Sequence, residues 1–267
     1  MLAVFNVIAF FLLGSFIGKF MAFTSKYLPK ILLDEIGEPD DVWKWFFQKP
    51  HCRSCRHPRT LPESLPILGY FIQKGKCRYC RKPIGSKGVF LEIAMALIFG
   101  LSVLFFPLTL HMIFVFFMTA FLILCFITDF EHGILPDQFT QPMVWAGLIV
   151  SLIPLFIPPA EAIIGAAGGY GIFWIFNVAF RSYRGVDGMY PGDFKLNAAI
   201  GAGLGFKWVL VILVISFFLL ILVTATQFFF GKKQNDKSFL RQEAPWGCYS
   251  SLVTIVILYI LLIQATT

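Results

Sequence analysis

Residues 93–129 read IAMALIFGLSVLFFPLTLHMIFVFFMTAFLILCFITD. Before its final aspartate this stretch holds no Asp, Glu, Lys or Arg, and Pro107 divides it into two apolar runs. A helix needs about 20 apolar residues to cross the hydrocarbon core of a bilayer. The run after Pro107 has that length, and the run before it reaches a similar length when residues 88–92 are included. The stretch therefore predicts two membrane-spanning helices joined by a tight turn, with Asp129 at the end of the second.

The rest of the chain has the same character. Of its 267 residues 58% are hydrophobic and 14% are charged, whereas a soluble domain carries roughly 25% charge. Dividing the apolar runs at Pro, Gly and charge predicts eight helices: 2–23, 88–106, 109–128, 138–157, 160–180, 193–204, 206–230 and 247–264. We see no internal repeat. The expected fold class is an all-α polytopic membrane protein of about eight transmembrane helices.

The basic residues indicate how the chain is oriented. Thirteen of the 22 Lys and Arg lie between Lys26 and Lys87, and four more lie in residues 231–241. Basic clusters beside membrane spans face the cytoplasm, so the N-terminus is expected outside. The net charge of +7 is therefore explained by a lipid membrane and not by nucleic acid. The first span lacks a basic n-region and a small-residue cleavage site, which predicts a retained anchor.

Two CxxC pairs lie in the polar segment after the first span. They are Cys52–Cys55 and Cys77–Cys80, separated by 21 residues. Two such pairs complete a four-thiolate zinc site, with His51 as an alternative ligand. Two disulfides are the other interpretation, but thiols stay reduced in the cytoplasm. Four protein ligands leave no position for water, so the predicted zinc is structural.

Two aspartates stand at the edges of predicted spans on the same side of the membrane. Asp129 ends one helix, and Asp193 begins another just after Pro191-Gly192. Carboxylates at membrane depth are costly and are functional candidates. A close pair shares a proton, so that one activates water while the other acts as an acid. Taken alone, Asp193 is better explained as a helix N-cap.

Other chemistry finds little support. The sequence has no GxSxG, HExxH or Walker motif, and the glycines of 165–169 predict a packing face in a membrane helix. The acidic run Asp34–Asp41 is either a solvated loop or a dock for a basic peptide.

Several motifs occur in the order found in one known family. They are Gly14-Ser15-Phe16, Pro66-Ile67-Leu68, Leu91-Glu92, the run from Asp129 to Asp137, and Gly192-Asp193-Phe194-Lys195-Leu196. Together they resemble the bacterial prepilin (type IV leader) peptidases over essentially the whole chain. Two departures stand out: Tyr190 replaces a motif glycine, and Trp246-Gly247-Cys248 stands where Phe-Gly-Pro is usual.

The resemblance implies an aspartic endopeptidase that cleaves type IV prepilins, or the pseudopilins of type II secretion, after the leader glycine. Asp129 and Asp193 would be the catalytic pair. Members with the CxxC pairs commonly also methylate the new N-terminus with S-adenosylmethionine. The implied organisation is a first transmembrane helix (1–23), a cytoplasmic zinc loop for methylation (24–87) and a peptidase domain (88–267) in the inner membrane.

Three other functions remain open on the sequence alone. The first is another intramembrane aspartic protease of the GxGD type, against which the zinc loop speaks. The second is a transporter that uses Asp129 and Asp193 as a proton relay. The third is a zinc-ribbon membrane adaptor, in which neither aspartate is needed.

Overall fold

The computed structural model describes residues 2–33, 51–52, 54–153, 155–230 and 246–266. In these ranges the regular structure is helical, and β-type pairing is confined to two isolated bridges. The helices of these ranges are α1 (Leu2–Leu32), α2 (Leu61–Ser64), α3 (Leu68–Ile72), α4 (Ser86–Phe105), α5 (Leu110–His132), α6 (Asp137–Ser151), α7 (Pro159–Arg184), α8 (Pro191–Leu204), α9 (Phe206–Phe230) and α10 (Trp246–Thr266).

Each predicted helix has an observed counterpart, although several ends were misplaced. The first helix continues to Leu32 instead of ending at residue 23. Its lysines do not stop it, because Lys is a good helix former. Helix α5 passes Thr128 and ends at His132, where Gly133 takes the left-handed conformation (φ +66°) common after a helix C-terminus. Element identity was thus predictable from apolar runs, but the ends were set by local backbone chemistry.

The membrane-spanning capacity of these helices differs. Six are long and apolar enough to cross a membrane, namely α1, α4, α5, α7, α9 and α10. Helices α6 and α8 have 15 and 14 residues. At 1.5 Å per residue they reach about 21–22 Å, short of a hydrocarbon core of about 30 Å. The chain is therefore a multi-pass membrane protein, and the span count of eight stays a prediction.

The chain divides into two compact units, Met1–Pro107 and Leu108–Thr267. In the first, α1 packs against α4 through two glycines one helical turn apart. A Cβ on Gly14 would lie 2.5 Å from the carbonyl oxygen of Met95, and one on Gly18 would lie 2.7 Å from the Cα of Glu92. Small residues at this spacing let two helix backbones approach closely.

In the second unit α8 packs against α6 and α7, and α5 packs against α10. A Cβ on Gly165 or Gly169 of α7 would overlap a backbone carbonyl of α8, at Gly201 and Asn197 respectively. The predicted packing face of residues 165–169 is thus confirmed. Burial of α8 from Leu196 to Leu204 holds Asp193, near its N-terminus, in a fixed place.

Candidate metal centre and carboxylate site

The four loop cysteines converge on one point. Their sulfur atoms all lie within 4.8 Å of one another, with Cys52 Sγ 3.7 Å from Cys80 Sγ and Cys55 Sγ 3.9 Å from Cys77 Sγ. A disulfide needs about 2.05 Å, so these are free thiols. A tetrahedral ion with metal–sulfur bonds of about 2.3 Å separates its sulfurs by about 3.8 Å. The cluster therefore fits a metal ion.

The two cysteine pairs sit in equivalent turns. In the first turn, the Cys52 N–H donates to His57 O, and the Arg56 N–H donates to Cys52 O. In the second turn, the Cys77 N–H donates to Lys82 O, and the Arg81 N–H donates to Cys77 O. All four hydrogen bonds are 2.9 Å long. Bridges close the turns at His51–Pro58 and Lys76–Pro83. The underlying pattern is C-R-x-C-R-x-P at 52–58 and at 77–83. Our expectation that no internal repeat exists was therefore wrong at this short length.

The pKa values of two cluster thiols, Cys52 and Cys55, differ widely. Backbone hydrogen bonds from Cys55 and Ser54 lower the pKa of the Cys52 thiol to about 6. At Cys55 a backbone hydrogen bond at His57 also lowers the pKa, but desolvation and the neighbouring sulfurs outweigh it and raise the pKa to about 11. The thiols thus cannot all ionise alone, whereas a divalent cation would let them do so.

Asp129 lies buried in the last turn of α5, 7% exposed. Its Oδ2 accepts a hydrogen bond of 2.9 Å from the backbone N–H of Cys248, in the first turn of α10. The first N–H groups of a helix lack partners within the helix and favour a negative charge. The N-terminus of α10 therefore orients and stabilises this carboxylate.

Asp193 is also 7% exposed, but it is held differently. Helix α8 begins at Pro191, so Asp193 is its third residue and not its N-cap, as we had considered. Its Oδ2 accepts the backbone N–H of Tyr190 at 3.2 Å. Tyr190 has φ −91°, so this position does not require glycine, and Pro191 stands at the favoured first helical position. The departure from the family motif is thus compatible with the loop geometry.

The last turn of α5 and the first turns of α8 and α10 meet around Leu135. A Cβ on Gly192 would lie 2.8 Å from Leu135 Cβ, and one on Gly247 would lie 2.9 Å from both Leu135 Cδ1 and Asp129 Oδ2. Cys248 lies close enough to both Asp129 and Asp193 for the charge of each carboxylate to act on its thiol. The fold thus brings both predicted aspartates to one region of the second unit.

The other aspartates of the described ranges make exposed structural contacts. Asp137 accepts two hydrogen bonds from Lys195 Nζ, at 2.6 and 2.7 Å. Asp187 accepts a 3.0 Å bond from Asn177 Nδ2 and lies 3.6 Å from Arg181 Nη1. Both carboxylates are solvent-exposed, so neither shares the environment of Asp129 and Asp193.

Sequence reasoning missed three contributors to these sites. The oxygen Asn177 Oδ1 accepts the backbone N–H groups of Gly188 and Met189 (2.8 and 3.0 Å) and so braces the loop before Asp193. Cys248 contributes a backbone N–H, and its side-chain type gives no sign of that. Lys195 belongs to the Gly192–Leu196 motif, but the sequence does not show that its partner is Asp137, 58 residues earlier in the chain. The acidic run Asp34–Asp41 lies outside the described residues.

These features define a class: a multi-pass helical membrane protein with a four-cysteine cluster in one unit and two buried aspartates in the other. Residues 116–225 match the model of the type IV leader peptidase family, and residues 12–106 match the bacterial peptidase A24 N-terminal domain. No solved structure matches the chain.

Curated relatives agree with the family models. A prepilin leader peptidase/N-methyltransferase of Aeromonas salmonicida is 31% identical over 220 residues, which cover 77% of this chain and 76% of the relative. A protein of the same name from Klebsiella pneumoniae is 31% identical over 197 residues, covering 74% and 84%. One from Burkholderia pseudomallei is 36% identical over 157 residues, covering 58% and 50%. The chain belongs to the type IV leader peptidase family.

Proposed function

We propose that the chain is a membrane aspartic endopeptidase that removes the leader peptide of type IV prepilins, or of type II secretion pseudopilins, and then methylates the new N-terminus. The observation that carries the peptidase half is the burial of Asp129 and Asp193, in contrast to the exposure of Asp137 and Asp187. Burial of two neighbouring carboxylates favours sharing of one proton between them.

That shared proton supplies the chemistry of cleavage. The ionised carboxylate takes a proton from a water molecule, whose oxygen attacks the carbonyl carbon of the leader glycine. The other carboxyl group donates its proton to the departing nitrogen as the carbon–nitrogen bond breaks. The products are a leader with a free carboxylate and a mature chain with a free amine. That amine is the group that methylation then uses, with S-adenosylmethionine as the second substrate.

The cysteine cluster is proposed to hold one structural zinc ion. The sulfur separations support this, since they match a tetrahedral four-thiolate site and leave no ligand position for water. Short segments with such sites draw much of their folding free energy from the metal. In this proposal the metal shapes the loop and takes no part in peptide hydrolysis.

The orientation follows from charge. The basic residues between Lys26 and Lys87 support a cytoplasmic cysteine loop and an N-terminus on the outer side of the bacterial inner membrane. Asp129 and Asp193 then act at the cytoplasmic rim, where the leader junction of a single-pass prepilin lies. The acidic segment Asp34–Asp41 is proposed to attract the basic leader, an effect that should weaken with salt.

The test is mass spectrometry of the N-terminus of a prepilin co-expressed with the chain. We expect the leader to be absent and the first residue to carry one methyl group. Metal analysis of the purified protein should find one zinc per chain. An uncut prepilin beside well-folded enzyme would contradict the peptidase proposal and favour the proton-relay transporter instead.

A further inference from the structure

A backbone turn of a rare form connects the two cysteine pairs. Pro66 O accepts a hydrogen bond from Leu68 N–H at 2.5 Å, and Ile67 between them has φ +57° and ψ −61°. These values describe a γ-turn with positive φ, which is strained. The strain is greatest for a β-branched residue such as isoleucine, which adopts positive φ only when its surroundings impose it.

A buried carboxylate is hydrogen-bonded to this turn. Glu92 of α4 is 8% exposed, and its Oε2 accepts the backbone N–H of Ile67 at 2.6 Å. A short hydrogen bond to an ionisable acceptor is among the stronger ones in proteins. Lys19 of α1 and Arg59 of the loop interact electrostatically with the same carboxylate. Glu92 thus ties the turn to both membrane helices of the first unit.

Several other hydrogen bonds lie within this segment. Glu63 Oε2 accepts the N–H of Thr60 at 3.0 Å. The amide Nε2 of Gln73 donates to the carbonyl oxygens of Glu63 and Gly69, at 3.0 and 2.9 Å. These contacts shape α2 and α3 but do not fix them over the membrane helices. The bond between Ile67 and Glu92 connects the segment to α4, and the residue that it holds is strained.

We propose that Glu92 is a positioning residue for N-methylation. It holds the segment between the cysteine pairs on α1 and α4, so that the first unit presents a fixed surface to the newly formed N-terminal amine. The inference rests on the proposed methyltransferase activity. Backbone strain persists where surrounding structure enforces it and is concentrated at functional sites. The whole arrangement lies within Met1–Pro107, whereas both buried aspartates lie in the second unit.

The experiment uses the full-length enzyme in detergent with a purified prepilin and S-adenosylmethionine. Mass spectrometry then counts uncut, cut, and cut and methylated product. For Glu92→Ala we expect near-normal cleavage, unchanged zinc content and methylation slower by about 10-fold or more, since small misplacements reduce rates strongly. Glu92→Gln keeps an oxygen that accepts the Ile67 N–H, and it should retain most of the methylation.

A second substitution separates positioning from general damage. Glycine takes positive φ without steric cost, so Ile67→Gly in the Glu92→Ala background lets the turn keep its shape without the hydrogen bond and should restore part of the methylation. Equal methylation by Glu92→Ala and wild type would overturn the inference. The inference would also be overturned if Glu92→Ala lost zinc, cleavage and methylation together and if Ile67→Gly restored none of them. If the wild type cleaves but never methylates, the proposed methyltransferase function itself fails, and the inference falls with it.

Discussion

The two units of this chain build their sites in opposite ways. The cysteine cluster of the first unit comes from two short copies of one turn, each held by hydrogen bonds and a bridge between residues less than ten apart. In the second unit the key hydrogen bond joins Asp129 to Cys248, 119 residues further along the chain. A site made of local turns is visible as a spacing in the sequence, whereas a site made by helix packing shows only its residue types.

The difference also predicts how each site responds to change. If the cysteine cluster holds the proposed zinc ion, loss of one cysteine should affect the folding of its own loop, because such loops draw folding free energy from the metal. The carboxylate site sits on helices already fixed by close packing, for example of α8 against α7 through Gly165 and Gly169. Substitutions there should change chemistry more than stability.

The largest effect is expected at the two buried aspartates. Asp129→Asn and Asp193→Asn should each lower prepilin cleavage by about 100-fold or more, because each removes an acid–base group. The double variant should be hardly worse than either single one, since residues acting as a unit are non-additive. Cleavage by purified variants in detergent measures this. Near-normal turnover by folded Asp193→Asn would contradict the mechanism and leave Asp193 only its structural bond to the Tyr190 N–H.

The second largest effect is expected at the four-cysteine cluster. Cys55→Ser removes one of four thiolates, so bound zinc should fall from one per chain towards zero and methylation should be lost. Cleavage should stay within about threefold of wild type if the two units act separately. Elemental analysis and the mass-spectrometric assay measure these quantities together. Ser54→Ala, in the same turn, is the matched control and should keep the metal; equal metal loss there would point to a general loop defect.

A smaller effect is expected from steric displacement of Asp129. In Gly247→Ala the new Cβ would lie 2.9 Å from Asp129 Oδ2, so the carboxylate must move. Cleavage should fall by about 10-fold, with little change in apparent KM. Gly171→Ala is the control, because a Cβ at Gly171 meets no atom within 4 Å. Unchanged kcat in Gly247→Ala would show that the observed position of Asp129 is not the reactive one.

The smallest effect is expected at the exposed ion pair beside the site. Asp137→Asn weakens the contact with Lys195, whose side chain is 28% exposed against 55% for Asp137. Exposed pairs contribute about 1 kcal/mol or less, so cleavage should stay within about twofold. Asp187→Asn should behave alike. If Asp137→Asn lowered cleavage as much as Asp129→Asn, Asp137 would have to be counted among the catalytic residues.

The sequence by itself determined the class of fold, the approximate positions of the helices and the clustering of the four cysteines. Long uncharged runs such as 93–128 have no soluble alternative, and the CxxC spacing brings its sulfurs together through a few local bonds. Both aspartates could also be singled out, because charge at membrane depth is rare. The sequence did not decide the role of Asp193, because an aspartate at the start of a helix can be either a cap or an acid–base group.

Only the tertiary structure decided what surrounds those residues. That Cys248 supplies a backbone N–H to Asp129, or that Glu92 holds the strained Ile67, leaves no mark in side-chain type or spacing. Backbone groups are the same at every residue but proline, and their partners are fixed by how distant helices pack. Helix ends such as His132 were also missed, because the left-handed conformation of Gly133 ends α5 and the apolar run does not.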